Sequence, residues 1–233
     1  MDIDLPTLKV ERLYRQIFAV LQRHIEQGVF KPGEALPSER DLSKKLGVSR
    51  SSVREALIAL EMRGWVEIRT GHGVFVRTNQ PEAAAANSAI EEGGVADLLK
   101  AREFLEGEFC LLAARHATEA QMDALESIVA SMELQETDNE EFHLADRNFH
   151  LKIAEMTGNP VLHDVMLQLW SRRYSPLYKR FEDHYNERNL APDLAQDHRD
   201  IYVALRSRDG NRARDLMRVH MQHVYKSLFR LAQ

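Results

Sequence analysis

The stretch SERDLSKKLGVSRSSVREALIALEMRGWVEIRTGHGVFV, residues 38–76, contains two helical patterns followed by two strand patterns. Ser38 precedes the first helical pattern, and Asp41 lies three residues after Ser38, a spacing typical of a capped helix N-terminus. Gly47 interrupts this pattern, and a second helix is predicted after it. The runs WVEIRT and GVFVRT, joined by a glycine-containing turn, predict a β-hairpin. This order of elements predicts a helix-turn-helix followed by a β-wing.

The second helix of the pair begins with arginines and hydroxyl groups, which are the side chains that contact duplex DNA. Arg50 and Arg54 lie four residues apart on one helical face, so both can reach into a major groove, where arginine matches guanine O6 and N7. The alternative is a well-capped, solvated helix start, and Lys44 and Lys45 fit generic surface charge. The DNA contacts predicted from these residues and the turn between the strands are Ser49, Arg50, Ser51, Ser52, Arg54, His72 and Gly73.

Residues 11–77 resemble, without an obvious gap, the winged helix-turn-helix of GntR-type bacterial repressors. The resemblance implies a DNA-binding transcription regulator, and it implies that Arg40, at the start of the first helix of the pair, also contacts DNA. One helix-turn-helix reads few base pairs, so we expect a homodimer on an inverted repeat of double-stranded operator DNA.

Charge and composition divide the chain into two parts. Residues 1–79 carry 13 Lys/Arg and 10 Asp/Glu, a balance of +3, and the remaining residues carry 18 and 26, a balance of −8, which together give the formal net charge of −5. Different partners for the two parts are indicated. The predicted domains are a DNA-binding domain at 1–78, a linker at 79–94 and a helical domain at 95–233. The first domain begins with a helix predicted by apolar residues at every fourth position: Leu13, Ile17, Leu21 and Ile25.

Several features indicate a soluble cytoplasmic protein. Cys110 is the single cysteine, which excludes an internal disulfide framework and fits a reducing compartment. No run of about 18 apolar residues is present, so no segment is expected to span a membrane. The N-terminal residues lack the basic start and apolar core of a secretory signal.

The second part shows helical periodicity and no strand pattern. Its connections are short, which predicts an α-helical bundle whose ligand site is built from inward-facing side chains. The fold class is therefore mainly α, with a winged helix-turn-helix followed by about seven helices. These helices are predicted at roughly 95–116, 118–134, 139–157, 159–174, 176–185, 192–208 and 211–231.

Polar residues lie on the apolar faces of three of these helices. Asp146 and His150 share the apolar face of one helix, and His198 and His220 lie on the apolar stripes of the last two. His223 lies on the more polar side of its helix. A buried carboxylate is costly unless it is paired or bound, and imidazoles with a carboxylate suit zinc, nickel, manganese or iron. The alternative is that each histidine is an ordinary core residue and that Asp146 caps or forms a local salt bridge.

The same four residues also carry a resemblance. The metal-binding branch of FadR-like GntR regulators has an Asp-x-x-x-His pair followed by two histidines, and Asp146, His150, His198 and His220 match these positions. The resemblance extends over about residues 98–228. It implies that these side chains ligate a divalent metal, with zinc favoured. It also implies that the metal orients a carboxylate or hydroxyl group of a small organic-acid effector.

Within this family, ADLLKAREFLEG and LQLWSRRYSPLYKRF are similar to segments of hexuronate-pathway repressors, which implies a sugar acid such as galacturonate or glucuronate. A small hydroxy, keto or dicarboxylic acid is the alternative. The effector contacts implied by the resemblance are Arg102, Trp170, Arg173 and Tyr178. For Arg102 the alternative is a salt bridge to Glu106, four residues later. For the other three it is helix packing and surface charge.

Two further functions compete with a regulator. A metal-dependent enzyme would use the same four residues, yet no general base is apparent beside them, such as the glutamate of an H-E-x-x-H motif. The winged helix would also have no role in such an enzyme. An architectural DNA binder would leave the buried polar cluster without a role. We therefore expect a regulator without catalytic activity.

Overall fold

A computed structural model describes residues 12–78, 94–134, 140–185 and 191–229. The chain divides into two compact units, residues 1–94 and residues 95–233. The linker predicted at 79–94 lies outside the described residues except for Gly94.

The first unit is a helix-turn-helix with a β-hairpin. The hairpin strands are antiparallel, with Val66 opposite Val76 and Arg69 opposite Gly73. An isolated bridge pairs Ala35 with Phe75 on the other edge of the second strand. The elements are α1 (Leu13–Glu26), α2 (Glu39–Leu46), α3 (Arg50–Met62), β1 (Val66–Arg69) and β2 (Gly73–Val76).

Local hydrogen bonds define the turn between α2 and α3. The Ser38 hydroxyl accepts from the backbone N–H of Asp41 at 3.2 Å, which caps α2 as the sequence predicts. Gly47 ends α2 with φ 66°, a left-handed conformation that glycine adopts without steric cost. Ser49 then caps α3 by accepting from the Ser52 backbone N–H at 3.2 Å. These caps fix where α3, the predicted reading helix, begins.

The core of the first unit forms between α1, α3 and the hairpin. In α1, Tyr14 and Phe18 are buried, whereas Leu13 is 44% exposed, so the predicted stripe is wrong at its first position. The reason is helical geometry: a strict four-residue spacing drifts around a helix of 3.6 residues per turn, and the buried face alternates steps of three and four. Around α1 the core is completed by Leu57, Leu60 and Trp65.

The second unit is helical throughout its described residues, as the sequence predicts. Its elements are α4 (Val95–His116), α5 (Glu119–Glu133), α6 (Glu140–Met156), α7 (Pro160–Ser171), α8 (Pro176–Tyr185), α9 (Ala191–Arg206) and α10 (Gly210–Phe229). A short 3-10 helix, Arg172–Tyr174, follows α7 where the sequence predicts a continuous helix. Ser175 is extended there, with ψ 146°, because a residue that precedes a proline avoids the helical conformation.

The helices of the second unit enclose a core that also holds polar groups. Helix α4 packs against α6 and α10, and α9 packs against α5 and α10. Phe149, Ile153 and Met217 are fully buried among them. None of the described helices is long and apolar enough to cross a membrane.

Candidate functional site

The start of α3 presents a group of hydroxyls and a helix N-terminus. The Ser49 hydroxyl lies 2.9 Å from that of Ser51 and 2.8 Å from that of Ser52. Ser49 is exposed, as is Arg40 on α2, while Ser51 and Ser52 are half-buried. Hydroxyls and backbone N–H groups at a helix N-terminus suit phosphate oxygens, so this end of α3 has the donors that the predicted DNA contact needs.

The two predicted base-reading arginines have different surroundings. Arg54 is only 5% exposed, and its Nε and Nη2 donate to the carboxylate of Glu39 on α2 at 3.0 and 2.7 Å. A guanine contact by Arg54 would require this pair to open. Arg50 is half-buried, and its Nε has no hydrogen-bond partner within the described part of the chain. The same role is predicted for both arginines from the sequence, whereas in the structure Arg54 is part of the packing of α2 on α3.

The turn of the hairpin places its backbone on the surface. His72 and Gly73 are exposed, and the His72 Nδ1 lies 3.0 Å from the carbonyl oxygen of Thr70. Gly71 and Gly73 have φ values of 75° and 112°, conformations that side chains disfavour. An exposed turn without side chains at these two positions leaves the backbone free to approach a nucleic-acid groove.

In the second unit, the four predicted metal ligands come together in the core. Helix α6 supplies Asp146 and His150, α9 supplies His198, and α10 supplies His220. All four are buried, and each offers a ligand atom such that these atoms lie within 4.8 Å of one another. The His198 Nε2 is 3.1 Å and the His150 Nε2 is 3.4 Å from the Asp146 Oδ1. Three helices thus direct imidazole and carboxylate groups to one point.

The pKa values at the cluster follow from burial and from its carboxylates. Burial lowers the pKa of His220 to about 4, and its neighbour His198 contributes in the same direction. Burial also lowers the pKa of His198. Burial opposes ionisation of Asp146, but contacts with His150 and His198 and the charge of Arg173 hold its pKa well below the usual range. Burial opposes the charge of His150, but Glu106 and Asp146 raise its pKa. The state in which these side chains bind metals, a carboxylate with neutral imidazoles, is therefore favoured by the pKa shifts of His198, His220 and Asp146 alone.

Two carboxylates that the sequence interpretation did not assign to the site stand behind the histidines. The Glu106 carboxylate contacts the His150 Nδ1. Asp197 Oδ2 lies 3.3 Å from the Nδ1 of His220 and 2.8 Å from that of His223. Glu106 could have been noticed because it falls on the apolar stripe of α4, but Asp197 carries no comparable signal.

The residues predicted to bind an effector lie next to the cluster. Arg102 is buried, and its Nε donates to Glu106 at 2.6 Å, which is the salt bridge weighed as its alternative role. Arg173 donates from Nη1 to the Asp146 Oδ2 at 2.6 Å. The two guanidinium groups lie 4.4 and 5.0 Å from the ring centroid of Trp170, and Arg173 lies 5.8 Å from that of Tyr178. These side chains form one polar and aromatic wall.

The cluster fits a divalent cation on two observations. The Nδ1 of His198 is buried without a hydrogen-bond partner in the described structure, and its Nε2 faces the Asp146 Oδ1 at 3.1 Å, an oxygen that it shares with His150, so the ring is poorly satisfied unless something binds there. In addition, carboxylates outnumber guanidinium groups at the site: Glu106 pairs with Arg102, Asp146 and Glu182 pair with Arg173, and Asp197 lies against His220. A divalent cation would balance the excess, and the side chains that could hold it are Asp146, His150, His198 and His220.

Comparison with known proteins gives matches in both units. Residues 13–76 match the family model described as bacterial regulatory proteins, gntR family, and residues 97–223 match the FCD domain. The chain is 34% identical over 224 residues to the Uxu operon regulator of Haemophilus influenzae, a match covering 96% of this chain and 84% of that protein. It is also 34% identical over 226 residues to the Exu regulon transcriptional regulator of Escherichia coli K12, covering 94% and 85%.

A solved structure is also similar. The structure titled Streptococcus agalactiae GntR has 26% sequence identity to this chain and a TM-score of 0.50. The match covers 92% of this chain and 99% of that one. The likeness therefore extends over both units of the chain.

Arg54→Ala is expected to weaken specific DNA binding by about 1–3 kcal/mol, as for the loss of a bidentate guanine contact. Lys44→Ala removes an exposed charge. It should weaken binding to specific and to random DNA by similar amounts, both smaller than the loss of specific binding in Arg54→Ala. Glu39→Gln is the matched control, because it removes the ion pair and keeps Arg54. Fluorescence anisotropy titrations measure all three variants. Equal losses for Arg54→Ala and Glu39→Gln would show that Arg54 supports the helix pair and does not read a base.

His220→Ala is expected to remove most of the bound metal, because it deletes one of the four ligands, while the first unit stays folded. His223→Ala should retain the metal, since His223 is not among the four clustered side chains and contacts Asp197. Metal content per chain after dialysis, with circular dichroism of each variant, measures this. If His223→Ala loses the metal and His220→Ala retains it, the helical register assigned to α10 is wrong. If both variants keep it, the metal is bound elsewhere.

Proposed function

Because the chain belongs to the gntR family of bacterial regulatory proteins and carries an FCD domain, we propose that it is a repressor whose operator binding is controlled by a small organic acid bound at a metal site. DNA binding and transcription regulation follow from the family. Repression, the acid and the metal are the parts that the proposal adds. The single observation that carries the metal and the acid is the buried cluster of Asp146, His150, His198 and His220 within the FCD domain.

The metal in this proposal is a first-row divalent ion, with zinc favoured and nickel, manganese or iron as alternatives. Three imidazoles and one carboxylate form a donor set that suits these ions. When bound, the ion would supply a Lewis-acidic centre for a carboxylate or hydroxyl oxygen of the effector. The protein side chains hold this centre away from water, since all four are buried.

The wall beside the cluster supplies the remaining recognition. Arg173 lies against Asp146 and reaches toward Tyr178, so its guanidinium group is placed to attract an anion that approaches the ligands. Arg102 adds a second positive charge, 4.4 Å from the ring centroid of Trp170. The Trp170 Nε1 is buried without a hydrogen-bond partner in the described residues, and it offers a donor for a hydroxyl or carboxylate oxygen. These four side chains are the proposed effector contacts.

A hexuronate or related sugar acid is the effector class that we favour. The support comes from relatives, since the chain is similar along most of its length to regulators of the Uxu operon and the Exu regulon, which belong to hexuronate metabolism. A sugar acid carries one carboxylate and several hydroxyls, which suits a wall of guanidinium groups and an indole donor. A small hydroxy, keto or dicarboxylic acid remains the alternative effector of the same regulator.

The DNA half of the proposal is a homodimer in the cytoplasm, where the operator is. The predicted contacts are Arg40, Ser49, Arg50, Ser51, Ser52, Arg54, His72 and Gly73. They sit on the start of α2, the start of α3 and the turn of the hairpin. A two-fold pair of such surfaces would read an inverted repeat, which doubles the sequence that one copy reads.

The purified protein is expected to bind an inverted repeat as a dimer and to bind an isolated half-site much more weakly, because only the full site engages both copies. Sedimentation of the protein–DNA complex gives the stoichiometry, and titration of both duplexes gives the affinities. A monomer on the full operator would contradict the proposed dimer.

Metal-loaded protein is expected to be stabilised by a sugar acid by about 2.7 kcal/mol when the acid is present at 100 times its Kd, since it binds the folded state. Thermal unfolding with galacturonate and glucuronate measures the shift, and galactose and glucose, which lack the carboxylate, are the controls. His220→Ala should lose the shift, and operator titrations with the stabilising acid should show changed affinity. If only hydroxy, keto or dicarboxylic acids stabilise the protein, the effector is one of these acids and not a sugar acid. If the protein converts the acid to a product, a metal-dependent enzyme is favoured.

A further inference from the structure

The three histidines of the cluster differ in the group that contacts their ring nitrogen Nδ1. His150 and His220 each have a carboxylate at Nδ1, from Glu106 on α4 and from Asp197 on α9. His198 has no hydrogen-bond partner at its Nδ1 within the described residues. It is held instead by ring packing, with its centroid 4.7 Å from that of Phe149 and 4.4 Å from that of His220.

A carboxylate at Nδ1 determines how an imidazole can act. A neutral imidazole carries one N–H, and a carboxylate accepts it, so the proton stays on Nδ1 and the lone pair is on Nε2. In metal sites, such partners also fix the orientation of the ring. For His150 the Nε2 is the nitrogen nearer to the cluster, 3.4 Å from Asp146 Oδ1. The carboxylate therefore stands on the opposite side of the ring from the proposed ligand atom.

Both carboxylates are themselves held in place. Glu106 accepts from the Nε of Arg102 at 2.6 Å, and although burial opposes its ionisation, Arg102 and His150 lower its pKa to about 2. Asp197 contacts two rings on α10, His220 and His223, which lie three residues apart. Asp197 also directly precedes His198 in the sequence. Helix α9 therefore contributes both a proposed ligand, His198, and the carboxylate that contacts His220 of α10.

We propose that Glu106 and Asp197 are positioning residues that hold His150 and His220 with Nε2 directed at the metal. This inference rests on the metal site of the proposed function and adds two residues to it. It also gives Arg102 a second role, since its charge keeps Glu106 ionised and in place behind His150. His223 contacts the same oxygen of Asp197 from the more exposed side.

The test uses the full-length protein, stripped of metal and titrated with Zn²⁺ against a chelator of known affinity. Asp197→Ala and Glu106→Gln are each expected to weaken Zn²⁺ binding by about 10- to 100-fold, the usual effect of removing a partner of a ligating histidine. Asp197→Asn keeps an oxygen that can accept from His220 and should recover part of the affinity. The visible absorption of bound Co²⁺ should also change in Asp197→Ala, because the ring of His220 is then less constrained.

Matched controls come from the same helices. Asp200→Ala lies one turn further along α9, where Asp200 is exposed and accepts from Gln196, and Glu103→Gln lies one turn before Glu106, where Glu103 contacts Gln222 at the surface. Both controls should bind Zn²⁺ as the parent protein does. Glu106→Gln removes the charge that pairs with the buried Arg102, and this variant can fail to fold. Asp197 is half-buried, so its variants are expected to fold and decide the test in that case.

The outcomes separate this inference from the proposed function. If the parent protein binds Zn²⁺ and Asp197→Ala and Glu106→Gln bind it equally well, the positioning role is rejected and the metal site stands. If the parent protein binds neither Zn²⁺ nor Co²⁺, the metal site and this inference are rejected together. If the Asp200→Ala control loses as much affinity as Asp197→Ala, the effect belongs to α9 in general and the positioning role is rejected.

Discussion

The ionised carboxylate of Asp146 lies inside a helical bundle, and the polar contacts of the second unit converge on it. One of its oxygens faces His150 and His198, and the other accepts from Arg173 of the 3-10 helix. An isolated carboxylate in such a place would be strongly destabilising, so the partners around it have to be held in position. One charge, as well as apolar packing, therefore constrains the relative positions of α6, α9 and the segment after α7.

The sequence predicted the elements and the four ligand candidates for the same physical reason. Helical periodicity marks which residues face the core, and a polar residue in such a position stands out against its neighbours. Asp146 and His150 share a face by their spacing, and His198 and His220 lie on the stripes of later helices. The structure then brings the four side chains together without any change of register.

What the sequence could not provide are the pairings between helices. Asp197 meets His220 across the contact of α9 with α10, and Arg54 meets Glu39 across the contact of α3 with α2. Each pairing depends on how far one helix is rotated and shifted against another, which no periodicity within one helix encodes. The helix break before Pro176 is a different case, since the sequence predicts it between the helices at 159–174 and 176–185, and a proline disfavours the helical conformation of the residue before it.

The four candidate ligands lie on α6, α9 and α10, of which α10 is synthesised last. During synthesis, a chain that has not yet released α10 from the ribosome presents Asp146, His150 and His198 but not His220. Domains fold as units once their elements have emerged, so capture of an ion by the complete set has to follow translation of α10. Under this order of events, an incomplete or truncated chain would not assemble the full cluster of four side chains, and binding of an ion to all four would require the second unit to be complete.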